Sequence, residues 1–272
     1  MVFLDPTIPD GPTFIADSRP PVLRFALLEA HGDYLAHGVF TRHGGVSAPP
    51  LDWLNVSYSV GDDLGALAEN RSRCAAALGL TSDRLVCAGL VHGAEVARVE
   101  YADPKPLPDG SQLVEDVDAL ITARPGVGLL ITAADCLQVL FYDPEGRAIG
   151  IAHAGWRGLA AGVLTATAAA MGREFGSRPD RLLAGIGPGL GPCCARFTDP
   201  EHELPPWFAP YIHGMHVDLW AAARAQLTAA GLEPARIEHH ALCTVCNRDR
   251  FFSHRGDHGR TGRFAAIVAL RG

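Results

Sequence analysis

Apolar positions follow two rhythms along the chain. Short apolar runs bounded by turn residues predict strands over 34–40, 84–90, 95–100, 117–122, 127–132, 137–142, 147–153, 181–186, 236–242 and 264–270. Helical spacing appears over 64–78, where Leu67, Cys74, Ala75 and Leu78 fall near one face. The stretch 159–174 is Ala-rich nearly all round and predicts a single buried helix. Asp218 suits the N-cap of a helix running through Ala230, with Gly231 as its stop. Residues 1–22 are rich in Pro and Asp and read as an N-terminal arm over the surface. No internal repeat or long linker divides the remainder, so residues 23–272 read as a single domain. Hairpins mixed with scattered helices favour α+β over a doubly wound parallel sheet.

Composition narrows the classes of function. With 48% hydrophobic and 19% charged residues the chain reads as a folded, soluble protein. It has 23 basic and 30 acidic side chains, net −7, so no global basic field for nucleic acid is expected. Its one lysine, Lys105, lies in the proline-rich stretch YADPKPLPDG, which sets aside a Walker phosphate loop and Schiff-base chemistry. The opening MVFLDPTIPDGP has neither the basic nor the apolar region of a secretory signal. The most apolar window, 127–142, is interrupted by Asp135, so no membrane span is expected. Seven cysteines, an odd count, fit a reducing cytoplasm, where a cysteine is a core residue, a metal ligand or a nucleophile.

The segment ITAADCLQVLFYDPEGRAIGIAHAGWRG carries the densest chemistry. Two apolar strands flank Asp143-Pro144-Glu145-Gly146. A hairpin symmetric about that turn sets Cys136 opposite His153, where a thiolate and an imidazole can converge on one metal. A bulge at Gly146 would shift the register by one, and opposition would then need a second irregularity near Asp135. The alternative for the pair is a buried core cysteine and a strand-end histidine. His92, in LVHGAEV between two strands, can supply a third ligand. His92, Cys136 and His153 together would leave a fourth position open, as catalytic zinc sites do. Asp135 is then a candidate acid, base or partner of a ligand.

The segments FTRHGGVS, LNVSYSVGDD with AENR, LVHGAEV, DALIT, ADC, IGIAHAGWRG, IGPGLGPCC, FFSHR and GRTGRFAA, in this order, resemble the YfiH-like family, also called the laccase-domain or polyphenol oxidase family. The resemblance spans about residue 33 to the C-terminus. It implies two packed mixed β-sheets flanked by helices. It also implies a zinc-dependent purine nucleoside phosphorylase that deaminates adenosine and cleaves methylthioadenosine, with purine nucleosides and phosphate as partners. The family's metal-binding His, Cys and His fall on His92, Cys136 and His153, and an arginine near its active site falls on Arg42. The chain departs from the family pattern at Leu90, Ser59 and Ala133, where Gln, His and Thr are usual.

The motifs have readings of their own. Gly44-Gly45 with Arg42 and His43 can form a phosphate-holding turn, or simply end a strand. Arg157, opening a helix after His153, is a second phosphate candidate. Asn55, Asp62 and Arg71 can contact ribose or fix loops. Cys193, Cys194, Cys243 and Cys246 read as structural: a single C-x-x-C lacks its second pair, and adjacent cysteines do not readily chelate one ion. The chain lacks the H-x-E…P-C-x-x-C signature of zinc base deaminases. Two competing functions remain. A laccase-like copper oxidase is poorly served by 12 histidines without one H-x-H pair, although Cu²⁺ can occupy a Cys-His-His site. A cysteine amidase acting on a UDP-muramoyl peptide would use Cys136 as nucleophile and His153 as base. The oligomeric state is not legible.

Overall fold

The computed structural model describes residues 20–272. Of the expected N-terminal arm, residues 1–19 lie outside the described residues, and Val22 already belongs to the first strand. The strands, in chain order, are β1 (Val22–Leu23), β2 (Leu35–Phe40), β3 (Leu85–Ala88), β4 (Val96–Arg98), β5 (Lys105–Pro106), β6 (Gln112–Val114), β7 (Ala119–Thr122), β8 (Gly128–Ala133), β9 (Leu137–Asp143), β10 (Ala148–Ala154), β11 (Leu183–Ile186), β12 (Ile212–His213), β13 (His216–Val217), β14 (Ile237–His239) and β15 (Phe264–Leu270). The helices are α1 (Ala26–Glu29), α2 (Leu64–Ala77), α3 (Trp156–Ala161), α4 (Val163–Phe175), α5 (Pro200–Glu203) and α6 (Leu219–Ala229).

Strand pairing gives a mixed sheet in the order β1-β2-β15-β8-β3-β6-β5 and a second in the order β14-β11-β9-β10-β7-β4, with β12 and β13 as a separate ribbon. The sheets pack face to face. On β15, Phe264, Ala266 and Val268 point into the layer between the sheets, where they meet Leu140 and Tyr142 of β9 and Ile149 and Ile151 of β10. The alternate residues Ala265 and Ile267 pack outward against Cys74, Ala75 and Leu78 of α2. On the other sheet, Val139 and Phe141 point outward to Leu164, Ala168 and Met171 of α4 and to Ala222 and Ala223 of α6. The molecule is therefore a four-layered α/β/β/α single domain, as the resemblance implies. Both faces of each central strand are covered, which is why these strands read as unbroken apolar runs instead of alternating ones. Gly150 sits where α4 crosses β10: a Cβ there would lie 3.1 Å from Met171 Sδ and 3.4 Å from Thr167 Cγ2. Among the described residues no helix is long and apolar enough to cross a membrane.

Local signals explain the helix limits. Asp63 and Asp218 cap α2 and α6, their carboxylates accepting from Ala66 N and Ala221 N at 2.9 Å each. The one helix expected over 159–174 is two. Gly162, at φ +87°, closes α3 and starts α4, a left-handed conformation that glycine takes without steric cost. The β9–β10 register also differs from the symmetric hairpin. Ala148 pairs with Asp143 and His153 with Gln138, so the loop holds four residues instead of two. Asp143 Oδ1 accepts from Glu145 N and Gly146 N at 3.0 Å each, and Arg147 takes φ +47° to close the loop.

The two sheets are joined by three crossings that matter for function. The chain passes from β3 to β4 through residues 89–95, from β8 to β9 through 134–136, and from β14 to β15 through 240–263. Ile267→Ala should cost about 2–5 kcal/mol by opening a cavity between β15 and α2. The exposed Leu64→Ala should cost under about 0.5 kcal/mol. Urea unfolding of both variants checks the contrast, and equal costs would contradict the layer assignment.

Candidate metal centre

His92 and Cys136 lie on the first two crossings, and His153 sits near the end of β10. The possible ligand atoms of the three lie within 4.8 Å of one another. The His92 and His153 rings meet edge to face with centroids 4.9 Å apart. Cys136 is not opposite His153 as expected, because the four-residue loop shifts the register by two. A shift of two preserves which face a strand residue occupies, so the two side chains still converge. One step beyond the ladder, Gly155 faces Cys136. A Cβ on Gly155 would lie 2.7 Å from Cys136 Sγ and 3.4 Å from His92 Cδ2, so a side chain here would fill the space around the thiol.

Asp118 organises the centre. β7 and β10 pair Ala119 with Ala152, and the next step sets Asp118 against His153. Its carbonyl accepts from His153 N at 2.8 Å, and its Oδ1 accepts from His153 Nδ1–H at 2.9 Å. That bond fixes the tautomer and turns Nε2 toward the other two ligands. The same carboxylate accepts from Val91 N at 3.2 Å, His92 N at 3.0 Å and Gly93 N at 2.6 Å. His92 is thereby held at φ +62°, a conformation uncommon for residues with a Cβ. Burial alone would raise the Asp118 carboxyl, but the His153 bond and the Gly93 and Val91 N–H groups hold it below the usual range.

Asp135 plays a parallel part on the second crossing. It stands at φ +86°, immediately before Cys136. Its Oδ1 accepts from Thr244 Oγ1 at 2.6 Å and Ser253 Oγ at 2.7 Å, and its Oδ2 from Arg255 N at 2.7 Å. These donors all come from the third crossing. The carboxylate expected as an acid, a base or a partner of a ligand is engaged in fastening loops beside the cysteine.

The thiol and imidazole are matched to a cation. Burial would raise the Cys136 thiol, but His153 and then His92 outweigh it and bring it down to about 6. Burial would lower His153, but the Cys136 thiolate and Asp118 raise it to about 9. Without metal the pair rests as thiolate and imidazolium. One soft thiolate and two imidazoles, with the Asp118 carboxylate behind one of them, form a donor set that fits zinc, and also copper.

The centre forms part of the wall of a cavity of about 400 Å³. Leu90, Ala133, Trp156, Leu190 and Leu219 make much of the rest apolar, and Ser59, His254, Arg255 and Arg263 add polar groups. The three departures from the family pattern, Ser59, Leu90 and Ala133, all line this cleft. Sequence reasoning assigned no role to Asp118, Arg255 or Arg263, although all three lie in quoted motifs.

Four expected site residues are not in the cleft wall. Arg42 donates through Nε and Nη2 to Asp52 O at 3.0 and 2.9 Å and through Nη1 to Arg248 O at 2.9 Å, with its guanidinium over Phe252. His43 stacks on Trp53 and bonds Asp249 O. Asn55 is fully buried, bonding Asp62 Oδ2 at 2.7 Å and Arg263 N at 2.9 Å. Arg157 is exposed, over the Trp156 ring. Arg71, buried, donates to Val56 O and Ser111 Oγ at 2.8 Å each. Asp62, Asn55 and Arg71 therefore fix loops, the plainer of their two readings. Cys193, Cys194, Cys243 and Cys246 do gather, their sulfurs within 4.8 Å of one another.

Residues 36–271 match the family described as multi-copper polyphenol oxidoreductase laccase, and the chain belongs to that family. A purine nucleoside phosphorylase, YlmD, of Geobacillus stearothermophilus is 37% identical over 246 residues, covering 86% of this chain and 89% of the relative. A purine nucleoside phosphorylase of Deinococcus radiodurans is 36% identical over 253 residues, covering 90% and 92%. The crystal structure of YlmD superposes with a TM-score of 0.83 at 32% identity, covering 96% of this chain and all of that one.

Asp118→Asn should lower metal affinity about 10–100-fold, because the neutral amide cannot hold the His153 ring as the carboxylate does. Competition with a chromogenic chelator measures it, and unchanged affinity would contradict the assignment. Proton release gives a second check. Between pH 6 and 9, where Cys136 is ionised and His153 is still protonated, uptake of one divalent ion should expel about one proton. Below pH 6 the thiol proton must leave too, so the count should rise further, and above pH 9 it should fall. Calorimetry in buffers of different ionisation heat reads the count, and a pH-independent value would contradict it.

Proposed function

We propose that the chain is a zinc-dependent purine nucleoside phosphorylase that also deaminates adenosine. The observation that carries the reading is a three-ligand His-Cys-His centre opening on a cleft with two arginines, in a chain closely related to proteins named for that activity. His92, Cys136 and His153 would hold the metal. When bound, zinc supplies Lewis acidity to a substrate oxygen or to water.

In phosphorolysis a phosphate oxygen bonds the anomeric carbon as the bond to the purine nitrogen breaks, giving ribose 1-phosphate and the free base. The chain's tasks are to hold the anion, seat the base and keep bulk water out. Arg263 and Arg255 take the anion in our reading. Arg263 spends Nη1 on Thr261 O and Gly262 O, and Arg255 spends Nη1 on Cys194 O and Arg196 O. In both, the rest of the guanidinium fork remains for a phosphate. Burial lowers Arg263, only partly opposed by the attraction of Cys136 and Asp135. Leu90, Trp156, Leu190 and Leu219 offer an apolar seat for the purine. His254, the cleft imidazole outside the ligand trio, hands a proton to the departing base.

The amidase reading asks Cys136 to be a nucleophile with one base. Two imidazoles converging on one sulfur, one of them anchored by a carboxylate, suit a ligand set better. The copper oxidase reading shares the donor set, and copper is a possible occupant. Among the described residues, however, the two clusters of potential ligands hold only two histidines between them, too few for a multi-copper centre.

Inosine should yield hypoxanthine and ribose 1-phosphate only when phosphate is present. Hypoxanthine released equally without phosphate would make the enzyme a hydrolase. Turnover of UDP-muramoyl peptides alone would favour the amidase. Arg263→Lys should raise the apparent KM for phosphate about tenfold or more, since an ammonium cannot copy the fork, while adenosine deamination is largely kept. Arg42→Lys should lower thermal stability and leave that KM near wild type. The reverse pattern in steady-state kinetics would return the phosphate role to Arg42.

A further inference from the structure

Four cysteines meet outside the ligand trio. Cys193 and Cys194 follow β11, and Cys243 and Cys246 follow β14. Because β11 and β14 are parallel neighbours, both turns leave the sheet at the same end. Gly189 N donates to Leu242 O and Thr244 N to Gly189 O, each at 3.1 Å, which ties the turns side by side. The four sulfurs lie within 4.8 Å of one another, with Cys193 Sγ 3.6 Å and Cys194 Sγ 3.7 Å from Cys246 Sγ. All four are free thiols. Adjacent cysteines can share one point here because 192–194 forms a tight turn, closed by Cys194 N bonding Gly191 O at 2.9 Å.

These distances have a chemical meaning. Four thiolates around zinc, at a bond length of about 2.3 Å in tetrahedral geometry, place neighbouring sulfurs about 3.8 Å apart. A disulfide would bring two of them to about 2.05 Å. Cys243 is buried and Cys193 and Cys246 are exposed, so a cation has a path from solvent. Gly191 N–H points at Cys243 Sγ from 3.4 Å, a donor that a thiolate can use. Four thiolates and a divalent ion carry net negative charge, and the Arg255 guanidinium, bonded to Cys194 O at 3.0 Å, supplies a positive neighbour.

We propose that Cys193, Cys194, Cys243 and Cys246 form a second metal site, a closed tetrathiolate that binds zinc and is separate from the open centre in the cleft. A closed four-ligand site is a structural one. It staples the turn after β11 to the turn after β14. Thr244, inside the second turn, donates to Asp135 beside Cys136. The staple thus braces the crossing that carries a cleft ligand.

Elemental analysis of the full chain, purified under reducing conditions with zinc, tests the site. Wild type should hold about two zinc ions per chain, and Cys136→Ala and the double variant Cys193→Ser, Cys246→Ser about one each. With cobalt in place of zinc, the intense sulfur-to-metal absorption of a tetrathiolate should persist in Cys136→Ala and fall to the weaker band of the single Cys136 thiolate in the double variant. Should the double variant fail to fold, the wild-type chain still decides. Ellman's reagent should modify the exposed Cys193 and Cys246 slowly with zinc bound and many times faster once a chelator is added. A single zinc per wild-type chain that is lost in Cys136→Ala, thiol reactivity indifferent to the chelator, or a disulfide among these cysteines in place of metal would each overturn the proposal.

Discussion

The Asp118 carboxylate is the constraint on which the rest of the site depends. It is fully buried, and an ionised group in that position is tolerated only if its lone pairs are satisfied. Four donors do this: the His153 ring and three successive N–H groups of the loop that carries His92. One anion therefore sets the orientation of one imidazole and the backbone position of another. It also ties β10 to the crossing between the sheets. Asp135 repeats the device on the next crossing, joining the backbone beside Cys136 to Thr244, Ser253 and Arg255. His92, Cys136 and His153 come from three separate segments, and the two carboxylates hold these segments at one seam between the sheets.

This division of labour explains why the cleft can combine an ordered polar floor with apolar walls. The His92, Cys136 and His153 side chains are held in fixed orientation by buried hydrogen bonds. Leu90, Ala133 and Leu190 leave open space at the wall. Ser59, Leu90 and Ala133, where the chain leaves its family's pattern, touch the cleft and none of them is a ligand. These three positions face the cleft beside the His92, Cys136 and His153 side chains.

Much of the fold was legible because its elements announce themselves locally. Buried strands on doubly covered sheets appear as apolar runs, and Asp218 before an Ala-rich stretch marks a cap. Gly162 was overlooked because a lone glycine in an alanine run resembles tolerated helix, and only its left-handed backbone shows the break. The hairpin register failed by two because Asp143 binds the turn's N–H groups and lengthens the loop, which spacing does not reveal. The His92, Cys136 and His153 side chains still converge because the parity of the strands did not change. The arginines were the weakest part of the reading. Arg42 sits in a conspicuous motif, but its guanidinium is occupied by the carbonyls of its own and a distant loop. Asp118 looks like an ordinary strand-entry residue until β7 is set against β10, a pairing across some thirty residues of chain that no local pattern specifies.

Removal and return of the metal tests the central claim most directly. Protein stripped of metal at neutral pH should lose phosphorolysis of inosine, and zinc added back should restore it. Stripped protein that turns over inosine undiminished would contradict a metal centre built on His92, Cys136 and His153.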